Sequence, residues 1–211
     1  SRHIKQKMSF LTLGFFTGLS LILALGAQNI FVIEQGLKKQ YIFIVCLICS
    51  FSDLILIFLG IFLFEYFKIY FTYIVELIFN ILLFAFLIYF VISKLKSRNK
   101  NLEINLNKNK LYLKNIIIKT LGFTYLNPHV YSDTVFFLGN FSKNLLISQK
   151  YYFGFGASIS SFLFFFSIGY LAKFFSNYLN NSRAWKIINL FIVIFMSALA
   201  FYVFLDIINL V

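Results

Sequence analysis

Charged residues fall in bands along this chain, and apolar residues fill the intervals between them. Residues 8–33 give 26 positions without a charge, and residues 40–64 give 25 with only Asp53 charged. Residues 77–93 are uncharged over 17 positions, and residues 120–142 carry only Asp133 in 23. Two further uncharged runs, 151–172 and 187–205, hold 22 and 19 residues, with Asp206 just beyond. A helix needs about 20 apolar residues to cross a bilayer. A membrane strand would take about 10 residues of alternating polarity, and these runs do not alternate. The pattern therefore predicts six spanning helices. The first run follows Arg2, Lys5 and Lys7 and exceeds the roughly 7–15 residues of a signal-peptide core. It is read as a retained helix starting near Met8, with residues 1–7 a processing or expression remnant.

Composition sharpens this reading. Hydrophobic residues make up 61% of the chain and charged residues 12%, with 31 Phe and one Pro. A typical globular chain is about 45–50% apolar even with glycine counted. So much apolar surface excludes an ordinary soluble domain, and it excludes disorder. The net charge of +12 sits in the connections and not on one soluble face. It points to anionic lipid head groups and membrane orientation, not to nucleic acid. Thirteen of the nineteen basic residues lie after the first, third and fifth runs, eight of them between Lys94 and Lys119. Positive charge collects on the cytoplasmic side, which places the long connection there and both termini outside. Cys46 and Cys49 form a C-x-x-C inside an apolar run with no further ligand nearby, so they read as packing residues, not as a metal or redox site. No cofactor is implied. Gly14 and Gly18 form G-x-x-x-G, which lets helices approach closely. The aromatic stretch 162–166 reads as packing or lipid-facing.

The basic connection divides the six runs three and three. Residues 1–93 and 120–211 form the two halves, joined by a solvated linker over 94–119. Leu25-Gly26-Ala27-Gln28 aligns with Leu126-Asn127-Pro128-His129, and Ser52-Asp53 with Ser160-Ser161. Phe84-Ala85 with Tyr89 falls against Ser197-Ala198 with Tyr202. Three spans per half force the halves into opposite orientations. The expected fold is an all-α membrane protein of six transmembrane helices in two inverted three-helix repeats. Such repeats are typical of secondary transporters, whose substrate sites lie at broken helices near the midplane. Gly26-Ala27-Gln28-Asn29 interrupts the first run and Asn127-Pro128-His129 the fourth. Backbone groups freed there must be satisfied by protein or by a water-filled cavity.

Asp53 and Asp133 lie within apolar runs, where a charge costs at least about 2.5–3.5 kcal/mol. No Lys or Arg lies within a run to pair with them. Two such acids should line a polar cavity and take a cation, a proton or both. The alternative is a neutral carboxyl bonded to Ser52, Asn29 or Tyr131. Glu34, Glu65, Glu76 and Asp206 lie near run ends and read as interfacial.

The string from Gly26 to Tyr41, the segments Ser52-Asp53-Leu54 and Gly60-Ile61-Phe62, and the string from Tyr125 to Thr134 resemble the LysE-type amino-acid exporters. They look most like the arginine-exporter branch. The resemblance covers nearly the whole chain and is weakest in the linker. Ala27 departs from it, since Pro is usual there, which leaves Gly26 alone to loosen the first helix. Ser132 stands where a larger apolar residue is usual. The resemblance implies an inner-membrane exporter of L-arginine, with L-lysine as a second cargo, driven by the proton-motive force. Its partners would be the substrate, protons and membrane lipid, and a homo-oligomer is compatible with it. Gly26 and Pro128 would mark the helix breaks. Asp53 and Asp133 would recognise the cation or carry the coupling proton. Gln28, Asn29 and Asn127 would orient the backbone groups of the substrate. Competing readings are an exporter of neutral amino acids of the threonine or homoserine type, a metal-cation exporter, and a non-transport scaffold. An intramembrane enzyme would want a nucleophile with its base or a metal cluster, and His129 is the one His within a run.

Overall fold

The structure, a computed structural model, describes residues 2–24, 26–99, 112–179 and 182–211. They form helices α1 (Arg2–Ile22), α2 (Ala27–Lys38), α3 (Ile42–Tyr70), α4 (Tyr73–Asn99), α5 (Leu113–Tyr125) and α6 (Pro128–Tyr131). A π-helical segment (Ser132–Phe137) then leads into α7 (Leu138–Ser142), α8 (Ile147–Ser176) and α9 (Ser182–Leu210). There is no strand among the described residues. Four segments, Ile42–Tyr70, Tyr73–Lys96, Ile147–Ser176 and Arg183–Leu210, are long and apolar enough to cross a membrane. Helices α1 and α2 meet at a bend of 83° and make a fifth if taken as one broken span. The run 120–142 is divided among α5, α6, the π segment and α7, so no single helix there has the length of a span.

Helix ends depart from the sequence reading in instructive ways. The linker narrows, because α4 continues through Asn99 and α5 starts at Leu113; the expected solvated stretch at 100–111 lies outside the described residues. The first break falls before the motif and not across it. The chain leaves α1 after Ile22 and re-enters helix at Ala27, with Gly26 extended at φ −126°. Gln28 and Asn29 are therefore inside α2. The break is sharp although Ala27 replaces the usual Pro, since a side chain takes over the freed carbonyls, as described below. The second break also restarts early. Pro128 occupies the first helical position of α6, where its missing N–H costs nothing. It opens a helix there and does not kink one.

Helix α8 is the central post. Helices α1 and α2 pack along it, α3 packs against it and against α5, the π segment and α7, and α4 pairs with α9. Backbones approach closely where glycine removes the side chain. A Cβ on Gly14 would lie 2.0 Å from the Phe153 carbonyl oxygen, and one on Gly156 would lie 2.0 Å from that of Leu11. Gly36 in α2 meets Gly169 in α8, and Gly139 in α7 meets Gly60 in α3, with 2.4 and 2.6 Å between the added Cβ and the facing oxygen. The expected close approach at Gly14 and Gly18 is thus an α1–α8 seam. The largest core lies at the linker end, where Phe123 packs 5.0 Å from Phe31, 5.2 Å from Phe90 and 4.8 Å from Phe86, centroid to centroid. Phe165 joins this core, while Phe162 and Phe166 stack on one another.

Gly156→Ala should lower unfolding stability in detergent by more than about 1 kcal/mol, because backbone and not a flexible side chain must move. Gly26→Ala, with nothing within 4 Å of the new Cβ, should change stability by less than about 0.5 kcal/mol. Titrated unfolding of the two variants beside the parent checks both.

Candidate functional site

The two breaks face each other across one cavity of about 560 Å³, part of it open to the outside. The α1–α2 break contributes Ala24, Gly26, Gln28 and Asn29, and the second break contributes Asn127 and His129. Asp53 enters from α3, Ser161 and Ala157 from α8, and Asp133 and Thr134 from the π segment. Every predicted site residue except Pro128 therefore lines this one space, and Pro128 lies between two that do. Among the described lining residues there are two carboxyls and an imidazole but no Lys or Arg.

Local sequence explains each placement. Asn29 donates from its amide to the carbonyls of Ile22 and Ala24, each at 3.1 Å. These are carbonyls at the end of α1 that a continuous helix would have satisfied. Asn127 caps α6, accepting the His129 N–H at 3.1 Å, the usual duty of Asn before a helix. Gln28 donates to Thr124 Oγ1 at 3.0 Å, joining α2 to α5. The three amides expected to orient the substrate thus spend visible bonds holding the breaks in shape. The π segment supplies the wide turn that carries Asp133. Such turns are frequent at functional sites.

The two acids differ in setting. Asp53 is 3% exposed, and its Oδ2 accepts from Ser161 Oγ at 2.7 Å. The side chain of Asp133 is 24% exposed and lies 3.4 Å from His129 Nε2, one turn earlier on the same face. The partners weighed for a neutral carboxyl, Ser52, Asn29 and Tyr131, are not the ones the structure supplies. Chemically, the cavity offers two carboxyls to a cation and the first turn of α2 to an anion.

The family model of the LysE type translocators matches residues 19–206 of the chain. The chain belongs to this family. Similar relatives include the arginine exporter protein ArgO of Salmonella enteritidis PT4 (strain P125109), of Salmonella gallinarum (strain 287/91 / NCTC 13346) and of Salmonella typhimurium (strain LT2). Each is 35% identical over 198 residues, covering 92% of this chain and 92% of the relative. No solved structure matches the chain. The similarity is to the arginine-exporter branch, and family and helices together make this translocator a multi-pass protein of a bacterial inner membrane.

For this translocator, sequence reasoning missed two residues of the site, Ser161 and His129, and one that supports it, Thr124. Ser161 was already visible as the partner of Asp53 in the alignment of the halves, and the two touch. His129 lies four residues before Asp133, a spacing that shares a helix face. Thr124 carried no signal, since nothing local ties it to Gln28. Glu34, read as lying near a run end, is covered by protein. It is 2% exposed and paired with Lys38 and Lys94, although α2 ends in half-buried Lys38 and exposed Lys39. By contrast Glu65 is exposed and Glu76 and Asp206 are half-buried.

Asn29→Leu should cost about 1–3 kcal/mol for each carbonyl left unpaired. Its unfolding midpoint in detergent should fall below that of an Asn29→Gln variant, which keeps the amide.

Proposed function

We propose that the protein exports basic amino acids, L-arginine first and L-lysine second, from the cytoplasm, coupled to the inward movement of protons. The observation that carries this is the pair of carboxyls, Asp53 and Asp133, facing one cavity between two broken helices with no Lys or Arg among the described residues of its wall. The relatives' name, arginine exporter protein, supports the cargo. A guanidinium stays charged at working pH and suits a carboxylate in bidentate fashion. The α-carboxylate of the cargo would meet the start of α2 at Gly26. One Asp binds the cation while the other carries the proton.

The same reading takes the chain as six passes in two inverted halves, 1–93 and 120–211, with the basic segment 94–119 cytoplasmic. The α5–α7 stretch is then the fourth pass, broken as the first is. Several pairings support this. Helix α2 packs on α8 as α7 packs on α3, through Gly36 with Gly169 and through Gly139 with Gly60. Asp53 and Ser161, aligned between the halves, hydrogen-bond to each other, as equivalent positions on a two-fold axis would.

Efflux of preloaded labelled arginine from proteoliposomes, with and without an imposed pH gradient, tests the proposal. The gradient should accelerate arginine efflux, and lysine but not threonine should compete. Asp53→Asn and Asp133→Asn should each lower the rate by about tenfold or more, equivalent to about 1.4 kcal/mol of barrier. Parent-like efflux in both variants would remove the acids from the mechanism. Threonine movement in place of arginine would keep the fold and overturn the cargo, and movement of a metal cation alone would do the same.

A further inference from the structure

The cavity is closed at one end, and the way it is closed is informative. Its walls come from the last turns of α1, the first turn of α2, α3 from Asp53 onward, the segment 127–138 and the first half of α8. No lining residue comes from 30–38, 42–52, 113–125 or 162–176. Those segments form the linker end, and they pack around Phe31, Phe90 and Phe123. This aromatic plug lies between the cavity and the side that holds the basic linker. A solute crossing the protein must part it, which separates α2 from α4 and α5.

Directly on this plug sits a buried ion cluster. Glu34 of α2 accepts through one oxygen, Oε1, from both Lys38 on its own helix and Lys94 on α4. Its other oxygen, Oε2, is buried without a hydrogen-bond partner among the described residues. Lys94 and Lys119 each lie over the Phe90 ring, at 5.5 and 5.8 Å from its centre. The Glu34–Lys94 pair bridges the two helices that must part. Opening the plug pulls Lys94 away, which leaves Glu34 with Lys38 alone and its Oε2 still unused in a low-dielectric place. A cation arriving from the linker side takes the place of Lys94 charge for charge. A guanidinium does so best, since its planar fork reaches both oxygens, including the one now unused. A neutral amino acid has no side-chain charge to offer.

We infer that Glu34 is a second cargo site on the linker side: it takes the side-chain cation of a basic amino acid in exchange for Lys94, and so ties opening of the aromatic plug to cationic cargo. This rests on the reading of the protein as an exporter of basic amino acids and adds where selection of the cation begins.

The chain carries its own reporter. Cys49 is 0% exposed and lies beside Gln28 and Thr124, between the plug and the cavity floor. A Cys46→Ser background leaves it as the single thiol, since Cys46 and Cys49 are the two cysteines of the chain. The rate of maleimide labelling in lipid nanodiscs, which expose both faces, reads opening without requiring transport. Arginine should accelerate labelling by about fivefold or more, and threonine should not. In Glu34→Gln the arginine effect should vanish, and Glu34→Asp, which keeps the carboxylate, should restore part of it. Lys94→Met should raise the rate without any cargo. Equal acceleration by arginine in the parent and in Glu34→Gln would overturn the inference. If arginine leaves parent labelling unchanged while liposomes still export it, the inference falls and the exporter reading stands. If threonine is exported and accelerates labelling in place of arginine, the exporter reading falls first and takes the inference with it.

Discussion

A helix that stops inside the hydrocarbon layer leaves carbonyls and N–H groups that lipid cannot satisfy. Everything of functional interest here depends on how that constraint is met at two places. At the first break the Asn29 amide holds the Ile22 and Ala24 carbonyls, and at the second Asn127 caps the helix that Pro128 begins. Gln28 then ties the restarted helix α2 to α5, in the other half of the chain, through Thr124. With the breaks satisfied by side chains, the space between them is free to be a cavity and not a defect that neighbouring helices must fill. The glycine seams along α8 and α3 hold the broken helices close enough for both breaks to face that space.

Charge follows from the same geometry. An acid in a membrane helix is tolerable only where it faces protein or a polar cavity. Asp53 is shielded behind Ser161, and Asp133 stands nearer the opening beside His129. Glu34 is tolerated differently, by two lysines that share one of its oxygens. The cavity is thus acidic in the middle and closed toward the linker by aromatic rings capped with ammonium groups.

Much of this was legible in the residues. Charge-free runs of spanning length gave the helical class, and paired interruptions at Gly26 and Pro128 marked where the cavity lies. Two acids without basic partners marked what faces it. The details that escaped were those decided by contacts distant in sequence. Nothing near Glu34 announces its partner Lys94, and nothing near Gln28 announces Thr124. The first break was underrated because proline was absent. Sequence reasoning weighed what loosens a helix and not what the Asn29 side chain offers once it stops. The fourth apolar run read as one span by hydropathy, yet it is four short segments, since a π turn within it leaves its hydropathy unchanged.

The central claim is that cargo sits between the two breaks. A structure determined with arginine bound tests it most directly. The account predicts the guanidinium against Asp53 or Asp133 and the α-carboxylate toward Gly26, within the cavity those residues line. Arginine bound away from both breaks, with this cavity empty, would contradict it.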